Sequence, residues 1–268
     1  RNGDIMDILT GIISNGFEVF LMVFVRMTGL FVTAPIFGRR NLPTQVKIGF
    51  AFFNAVILSN TIPLEKVETG GGILTLAVLV AKEFLVGVVI GYVAYMIFSS
   101  IYLAGQLIDM QIGFGIVSVL DPVSNIQLPV TSNFYYILCM LVFMIIKGHH
   151  ALIKALYDSY EFVPLGKAAF SDVLLGDVLK IFANTFVISF KISAPIIAAI
   201  LIVDVALGVI SKSIPQMNVF IVGMPLKLLI GIGLLIFTLP AFVSMIENLT
   251  SLMSSDILDI LKDLVPDK

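Results

Sequence analysis

Residues 73–104 read ILTLAVLVAKEFLVGVVIGYVAYMIFSSIYLA, and this stretch decides the fold class. Its only charges are the neighbours Lys82 and Glu83. A helix needs about 20 apolar residues to cross a bilayer, and this run is longer than that. Because unpaired backbone groups are costly away from water, such a run should be helical. The stretch therefore predicts a membrane helix that carries two charges within it.

The composition of the whole chain agrees with this class. Of its 268 residues, 59% are hydrophobic and 13% are charged, which is more apolar material than a soluble globular protein needs. The net charge of −2 and the lack of a basic cluster give no reason to expect a nucleic-acid partner. The single Cys139 excludes an internal disulfide. We therefore predict an all-α membrane protein.

Apolar runs recur along the chain, and each reaches or nearly reaches the length of a spanning helix. They lie at about Gly11–Phe37, Val46–Ile62, Ile73–Ala104, Leu128–Ile146, Val178–Ile210 and Val219–Ile246. These runs predict about six long apolar helices that form helical hairpins. A short amphipathic tail helix is expected at Ser254–Leu264, with an apolar face formed by Ile257, Leu258, Leu261 and Leu264.

Charged residues lie inside these runs, where each should cost a few kcal/mol against lipid. Lys82 and Glu83 point in different directions on a helix, so each needs a partner elsewhere. A proton or ion relay is one interpretation. Ion pairs between helices or subunits are favoured, because a relay usually needs acids in series. The residues predicted to form such pairs are Arg26, Lys82, Glu83, Lys191, Asp204 and Lys227.

The patterns of an enzyme or a metal site are missing from the sequence. No Ser/His/Asp or Cys/His arrangement suggests catalysis, so no enzymatic activity is predicted. His149 and His150 are adjacent and no third ligand lies nearby in sequence, so no metal is predicted. Gly113-Phe-Gly115 resembles part of a nucleotide-binding fingerprint, but no strand precedes it. No cofactor is therefore expected.

The densest pattern joins the last two apolar runs. Residues 204–227 read DVALGVISKSIPQMNVFIVGMPLK. Prolines stop the fifth helix and shape the turn into the sixth, and polar side chains in this turn can satisfy the backbone groups that are freed there. The residues predicted to form this structural hinge are Pro215, Gln216, Asn218, Gly223 and Pro225.

This stretch closely resembles the signature of the FliR/SctT family, the export-gate subunits of bacterial flagellar and type III secretion systems. The resemblance covers nearly the whole chain in order. Its other motifs are Arg26 with Pro35 and Pro43, then Lys82-Glu83 followed by Gly87 and Gly91, and then Gly105-x-x-x-Asp109 leading to Asp121-Pro122. Flagellar and virulence secretion members share these motifs, and overall similarity favours the flagellar system.

The resemblance implies a non-enzymatic subunit of a helical assembly in the bacterial inner membrane, at the flagellar basal body. Its partners would be FliP-like and FliQ-like gate subunits, with FlhB-like and FlhA-like export proteins nearby. Together they would form the pore through which unfolded flagellar proteins leave the cytoplasm. Residues 1–160 would form a FliP-like half and residues 170–268 a FliQ-like helical hairpin half. Partner subunits, rather than lipid, would cover the charges within the apolar runs.

The resemblance also implies a plug in the pore at residues 106–122. Residues 110–122 read MQIGFGIVSVLDP, which is too short to cross a bilayer and too apolar for an ordinary loop. The glycines allow unusual backbone angles, and the apolar side chains can block ions by dewetting. The predicted plug residues are Met110, Ile112, Gly113, Phe114, Gly115 and Ile116. The alternative is a loop that packs on a neighbouring helix.

A second function class stays open at this point. A small-solute secondary transporter would have broken helices at Ala194-Pro195 and at Ser213–Pro215, and it would need no partners. A gate subunit, in contrast, should be unstable or unassembled without its neighbours.

Overall fold

The computed structural model describes residues 2–38, 43–59, 72–114, 129–214 and 218–265. Within these ranges the chain forms helices and no strands. The helices are α1 (Asn2–Thr33), α2 (Thr44–Ser59), α3 (Gly72–Ile112), α4 (Val130–Ile145), α5 (Gly148–Phe162), α6 (Asp172–Ser213) and α7 (Val219–Asp263). The all-α membrane class predicted from the sequence is therefore confirmed.

Four helices in the described part of the chain are long and apolar enough to cross a membrane, namely α1, α3, α6 and α7. A fifth candidate is the pair α4 and α5, which is bent by 67° at the break between them. The second apolar run forms α2, but its 16 residues are fewer than a span needs. The six runs thus all contribute helices, although they are not six equal spans.

Two elements differ from the sequence expectation. Helix α5 was not predicted, because its mixture of His, Lys, Asp and Glu with scattered apolar residues does not form an apolar run. The expected separate tail helix is wrong, since α7 continues without a break through residues 247–253 to Asp263. No proline or glycine interrupts that stretch, so nothing stops the helix there. Its buried face includes Ile260, whereas Leu258 is exposed.

The described chain divides into two compact units. Unit 1 consists of residues 1–95, 148–181 and 252–268, and unit 2 consists of residues 96–147 and 182–251. Each unit takes segments from both of the predicted halves of the chain. The predicted FliP-like and FliQ-like halves concern similarity to other subunits and not packing within this chain. That division stays a prediction.

In unit 1, helix α2 packs on α1 through aromatic rings. Phe52 of α2 meets Phe20 edge to face, with ring centroids 5.3 Å apart. Phe50 meets Phe31 in the same way at 5.4 Å. Edge-to-face pairs of this kind stabilise the packing beyond what burial of the rings alone contributes. They hold a helix that is too short to span a membrane against one that is long enough.

In unit 2, helix α4 is fixed by aromatic packing on two sides. Tyr135 stacks on Phe242 of α7, with ring centroids 4.1 Å apart. Phe143 meets Phe98 of α3 edge to face at 5.3 Å. These contacts place the N-terminus of α4 next to the end of α3, which is where the predicted plug segment begins.

Candidate functional site

The predicted plug segment, residues 106–122, begins inside α3, because residues 106–112 form the last turns of that helix. The backbone N–H groups of Gly113 and Phe114 both donate to the carbonyl oxygen of Asp109, at 3.1 Å each. Gly113 has φ 103°, in the left-handed region where a side chain is strained. A glycine in this conformation just after the last turn is a common way to end a helix. Gly113 therefore stops α3 and turns the chain into the rest of the segment, beyond the helix.

The side chain of Asp109 ties the end of α3 to the start of α4. One carboxylate oxygen, Oδ1, accepts from the N–H of Thr131 at 2.9 Å. The other, Oδ2, accepts from the N–H and the hydroxyl of Ser132, at 3.3 Å each. These N–H groups belong to the first turn of α4, whose own N-cap, Pro129, provides no side-chain bond. Asp109, which is buried, thus caps α4 from a different helix.

Gly105 makes this approach of α3 and α4 possible. A Cβ atom added at Gly105 would collide with the backbone of Ser132. Any other residue would therefore push α4 away from the Asp109 carboxylate. In the sequence, Gly105 and Asp109 stand out only as parts of the motif that leads to Asp121-Pro122. Asp121 and Pro122 lie outside the described residues.

The predicted plug residues occupy different environments. Met110 is 65% exposed, whereas Ile112 is fully buried and faces Gly231 of α7 within unit 2. Phe114 is half-buried. Gly115 and Ile116 lie outside the described residues. Among the plug residues that the structure describes, Met110 is thus the apolar side chain most available to a partner or a passing chain.

A second cluster is formed by two of the charges predicted to pair. In unit 1, Arg26 Nε donates to Glu83 Oε2 at 2.6 Å, and both side chains are fully buried. Arg26 also donates to the backbone carbonyls of Ser159 (3.2 Å) and Val163 (3.1 Å) and to the Ser159 hydroxyl (3.0 Å). Its guanidinium lies over the ring of Tyr160, 4.2 Å from the centroid.

Glu83 completes this network. Its second oxygen, Oε1, accepts from the N–H of Gly166 at 2.8 Å. The pair therefore bonds the carbonyls at the end of α5 and an N–H in the turn that follows. Helix ends leave such backbone groups without partners of their own. Arg26 supplies a partner for the Val163 carbonyl and Glu83 one for the Gly166 N–H, while the Ser159 carbonyl also accepts the N–H of Val163 at 2.9 Å. The pair thus fixes the α5–α6 connection against α1 and α3.

Close contact between α1 and α3 brings Arg26 and Glu83 together. A Cβ added at Gly87 would collide with the carbonyl of Arg26, and one added at Gly91 would collide with the hydroxyl of Thr33. On α1, a Cβ at Gly29 would lie 2.5 Å from the carbonyl oxygen of Phe84. Glycines on both helices thus allow the backbones to touch, as the Gly87-x-x-x-Gly91 spacing indicates.

Of the other four charges predicted to pair, two form an ion pair with each other and two make none with a described residue. Within unit 2, Lys227 of α7 forms an ion pair with Asp204 of α6, and both side chains are partly exposed. Lys82 and Lys191 make no ion pair or side-chain hydrogen bond with any residue that the structure describes. Lys82 is half-buried, and Lys191 is exposed.

The predicted hinge between α6 and α7 is described only in part. Helix α6 ends at Ser213, and Pro215 and Gln216 lie outside the described residues. Asn218 precedes α7, and its side-chain oxygen accepts from the N–H of Ile221 at 3.4 Å. Gly223 and Pro225 lie inside the first turns of α7.

The described ranges give little support for a metal site. No group of three or more His, Cys, Asp or Glu residues there could hold a metal ion. Among the described residues, the rings of His149 and His150 lie edge to face against each other, with centroids 4.3 Å apart.

Comparison with known proteins identifies the family. The family model described as "Bacterial export proteins, family 1" matches residues 17–253. The chain belongs to this family. The match includes both clusters and the Asp204–Lys227 pair.

Curated relatives agree along nearly the whole chain. The flagellar biosynthetic protein FliR of Bacillus subtilis (strain 168) is 38% identical over 240 residues, which cover 88% of this chain and 92% of the relative. FliR of Escherichia coli (strain K12) is 28% identical over 248 residues, covering 92% and 94%. FliR of Aquifex aeolicus (strain VF5) is 29% identical over 231 residues, covering 85% and 88%.

The family and these relatives make the chain a component of the flagellar type III export apparatus. Its apolar helices make it a membrane-embedded one. The resemblance to FliR/SctT proteins that the motifs indicated is confirmed. The small-solute transporter is not supported, and α6 continues through Pro195, where that alternative expected a broken helix.

Proposed function

We propose that this chain is a core subunit of the export gate in the bacterial inner membrane, at the flagellar basal body. It would assemble with FliP-like and FliQ-like subunits around a pore for unfolded flagellar proteins, next to FlhB-like and FlhA-like export proteins. The role is structural and gating, without catalysis. The family match over residues 17–253 is the observation that carries this proposal.

The exposed faces of the long helices support a role inside an assembly. Large apolar side chains are exposed along the length of α6 and α7, far beyond what a monomer needs. They include Phe182, Phe186, Phe190, Ile202, Val205, Leu229, Ile236 and Phe237. Lipid alone could cover these side chains, but it could not satisfy Lys191 of α6, which has no ionic partner among the described residues. Neighbouring subunits can cover both.

Within that assembly, we propose that residues 106–122 form a plug. The segment leaves α3 through the left-handed Gly113, and its two ends are held together by Asp109. A tethered loop that contains glycine can be displaced by a passing chain and then return. The apolar residues between the tethers, with Met110 at the entrance, would close the pore to ions by excluding water.

Native mass spectrometry tests the assembly. The chain is purified from detergent alone, and then after co-expression with its FliP-like and FliQ-like neighbours. We expect one large complex that contains this chain and both neighbours. A stable, solitary monomer that ignores both neighbours would contradict the proposal.

The plug is tested by deleting residues 115–118, which leaves the buried Ile112 and the helix end at Gly113 in place. We expect the complex to assemble and its ion conductance in planar bilayers to rise, because the dewetted constriction is lost. Phe170→Ala, which removes an exposed aromatic ring outside α3, is a control and should leave conductance unchanged. A shortened variant that assembles and conducts no more than the unaltered complex would overturn the plug.

A further inference from the structure

Lys191 lies near the middle of α6 on a face that the rest of unit 2 leaves open. It is exposed, while Ser189, Ile192 and Ile196 on the opposite face are buried. Beside it are exposed apolar side chains, Val187 and Phe190. The ammonium group has no ionic or hydrogen-bonding partner in the described ranges of the chain.

The charges on α6 prevent a purely apolar span. Any stretch of about 20 residues, the length needed to cross a bilayer, contains either Lys191 or Asp204. Asp204 is already paired with Lys227. Lys191 is thus the charge on this helix that most needs a partner from outside the chain.

Two further polar groups near Lys191 lack an ordinary partner among the described residues. Pro195 lies inside α6 and has no N–H, so the carbonyl of Lys191, four residues earlier, loses its usual helical hydrogen bond. Asn184, two turns before Lys191, is exposed, and its amide makes no hydrogen bond to any described residue. Acyl chains can satisfy none of these groups, whereas polar side chains on a helix can.

We propose that this face of α6, defined by Asn184, Val187, Lys191 and Pro195, docks a helix from an adjacent subunit. That helix is apolar, and it carries one Asp or Glu opposite Lys191 and a hydrogen-bond donor opposite the freed carbonyl. The inference rests on the proposed gate assembly and adds the partner's chemistry at one position. The ion pair fixes the register of the two helices, since an apolar face alone does not.

Substitution of Lys191 is the first test, in the co-expressed complex. Lys191→Met keeps a similar length and removes the charge. We expect the fraction of chain recovered in the complex to fall by about tenfold or more, as when one member of a buried ion pair is lost. Lys191→Arg should restore most of it. Lys212→Met, which removes an exposed cation at the end of the same helix, should assemble normally.

Zero-length crosslinking with a membrane-permeant carbodiimide identifies the partner. The reagent joins an ammonium to a carboxylate that touches it, so mass spectrometry should find Lys191 linked to an Asp or Glu of another subunit. If Lys191→Met assembles normally and no link to Lys191 forms, the inference is overturned while the gate proposal stands. If an anionic lipid is bound to the unaltered complex and is lost in Lys191→Met but not in Lys212→Met, Lys191 contacts a lipid and the inference is overturned. If the unaltered chain enters no complex, both proposals fail.

Discussion

The Arg26–Glu83 pair shows how a buried charge is made tolerable in an apolar protein. Burying an ion pair is costly, and it is repaid only when the remaining donors and acceptors are also bonded. Here the guanidinium and the carboxylate together make bonds to Ser159, Val163 and Gly166. The main role of the pair is therefore to bond the backbone at the end of α5, and the attraction between the two charges is secondary.

Removing one charge should have a large effect. We expect Glu83→Gln to lower the free energy of unfolding by about 3–5 kcal/mol, because it leaves the guanidinium buried without its counter-ion. The measurement is an SDS titration of the purified chain in detergent micelles, followed by circular dichroism.

The exposed pair Lys262–Asp259 provides the control. Lys262→Met should cost about 0–1 kcal/mol, as surface ion pairs do. The double change Arg26→Met with Glu83→Leu should recover part of the loss, because no buried charge then remains. Equal effects of Glu83→Gln and Lys262→Met would contradict the role given to the buried pair.

At this scale the sequence predicted which residues are exceptional, but not how they pair. Arg26 and Glu83 are visible as charges in apolar runs. Their other partners are backbone groups at the end of α5, a helix that the hydropathy pattern does not reveal. Backbone carbonyls have no signature in a sequence, so the network could not be assembled from residue types alone. Asp109 was similarly visible as an acid, yet its role as a cap depends on where α4 begins.

Among the helices, the crossing of α1 and α3 depends on glycine. Gly87→Ala should lower the free energy of unfolding by about 1–3 kcal/mol, because its Cβ collides with the backbone of Arg26 and cannot be relieved by a side-chain rotation. The same titration measures it.

A matched glycine separates this effect from helix propensity. Gly176 of α6 has no atom within 4 Å of its hypothetical Cβ. Gly176→Ala should be neutral or should stabilise by up to about 1 kcal/mol, as alanine does inside a helix. A loss at Gly176 as large as that at Gly87 would rule out the steric explanation.

Hydropathy predicted the long helices well, since a continuous apolar run has few alternatives in a membrane. It predicted helix boundaries less well. Pro195 is a possible break in the sequence and Pro225 belongs to the predicted hinge, yet α6 and α7 continue through them. A proline removes a single hydrogen bond, and helix packing on either side can hold the axis. Whether a proline ends a helix therefore depends on tertiary contacts that the sequence does not display.

At the scale of the whole molecule, unit 1 is built from the beginning, the middle and the end of the chain. The last segment adds the buried side chains Met253, Ile257, Ile260, Leu261 and Leu264. The carbonyl of Leu264 also accepts from the N–H of Ala169 at 3.0 Å. The C-terminal turns of α7 are thus part of a core, and not an appendage as the amphipathic pattern suggested.

Truncation after Ser251 should therefore unfold unit 1. Each lost apolar side chain is worth about 2–5 kcal/mol in a core, and together they exceed the net stability of about 5–15 kcal/mol that is typical of a domain. Hydrogen exchange should show α5 losing its protection while α4, in unit 2, keeps more of its own. Removal of residues 266–268 alone is the control and should change neither. Full protection of α5 after truncation would contradict this assignment.

The buried guanidinium also has a consequence for the order of events during synthesis. Arg26 must pair with Glu83, which follows it by 57 residues, and with Ser159, which follows by 133. At about 5–20 residues per second, the first partner emerges roughly 3–11 s after Arg26 and the second roughly 7–27 s after it. For that interval α1 carries a charge that it cannot yet bury in its final place, so the insertion machinery has to shelter it. A ribosomal pause between Glu83 and Ser159 would lengthen the wait, which makes the tempo of translation a determinant of how much chain folds.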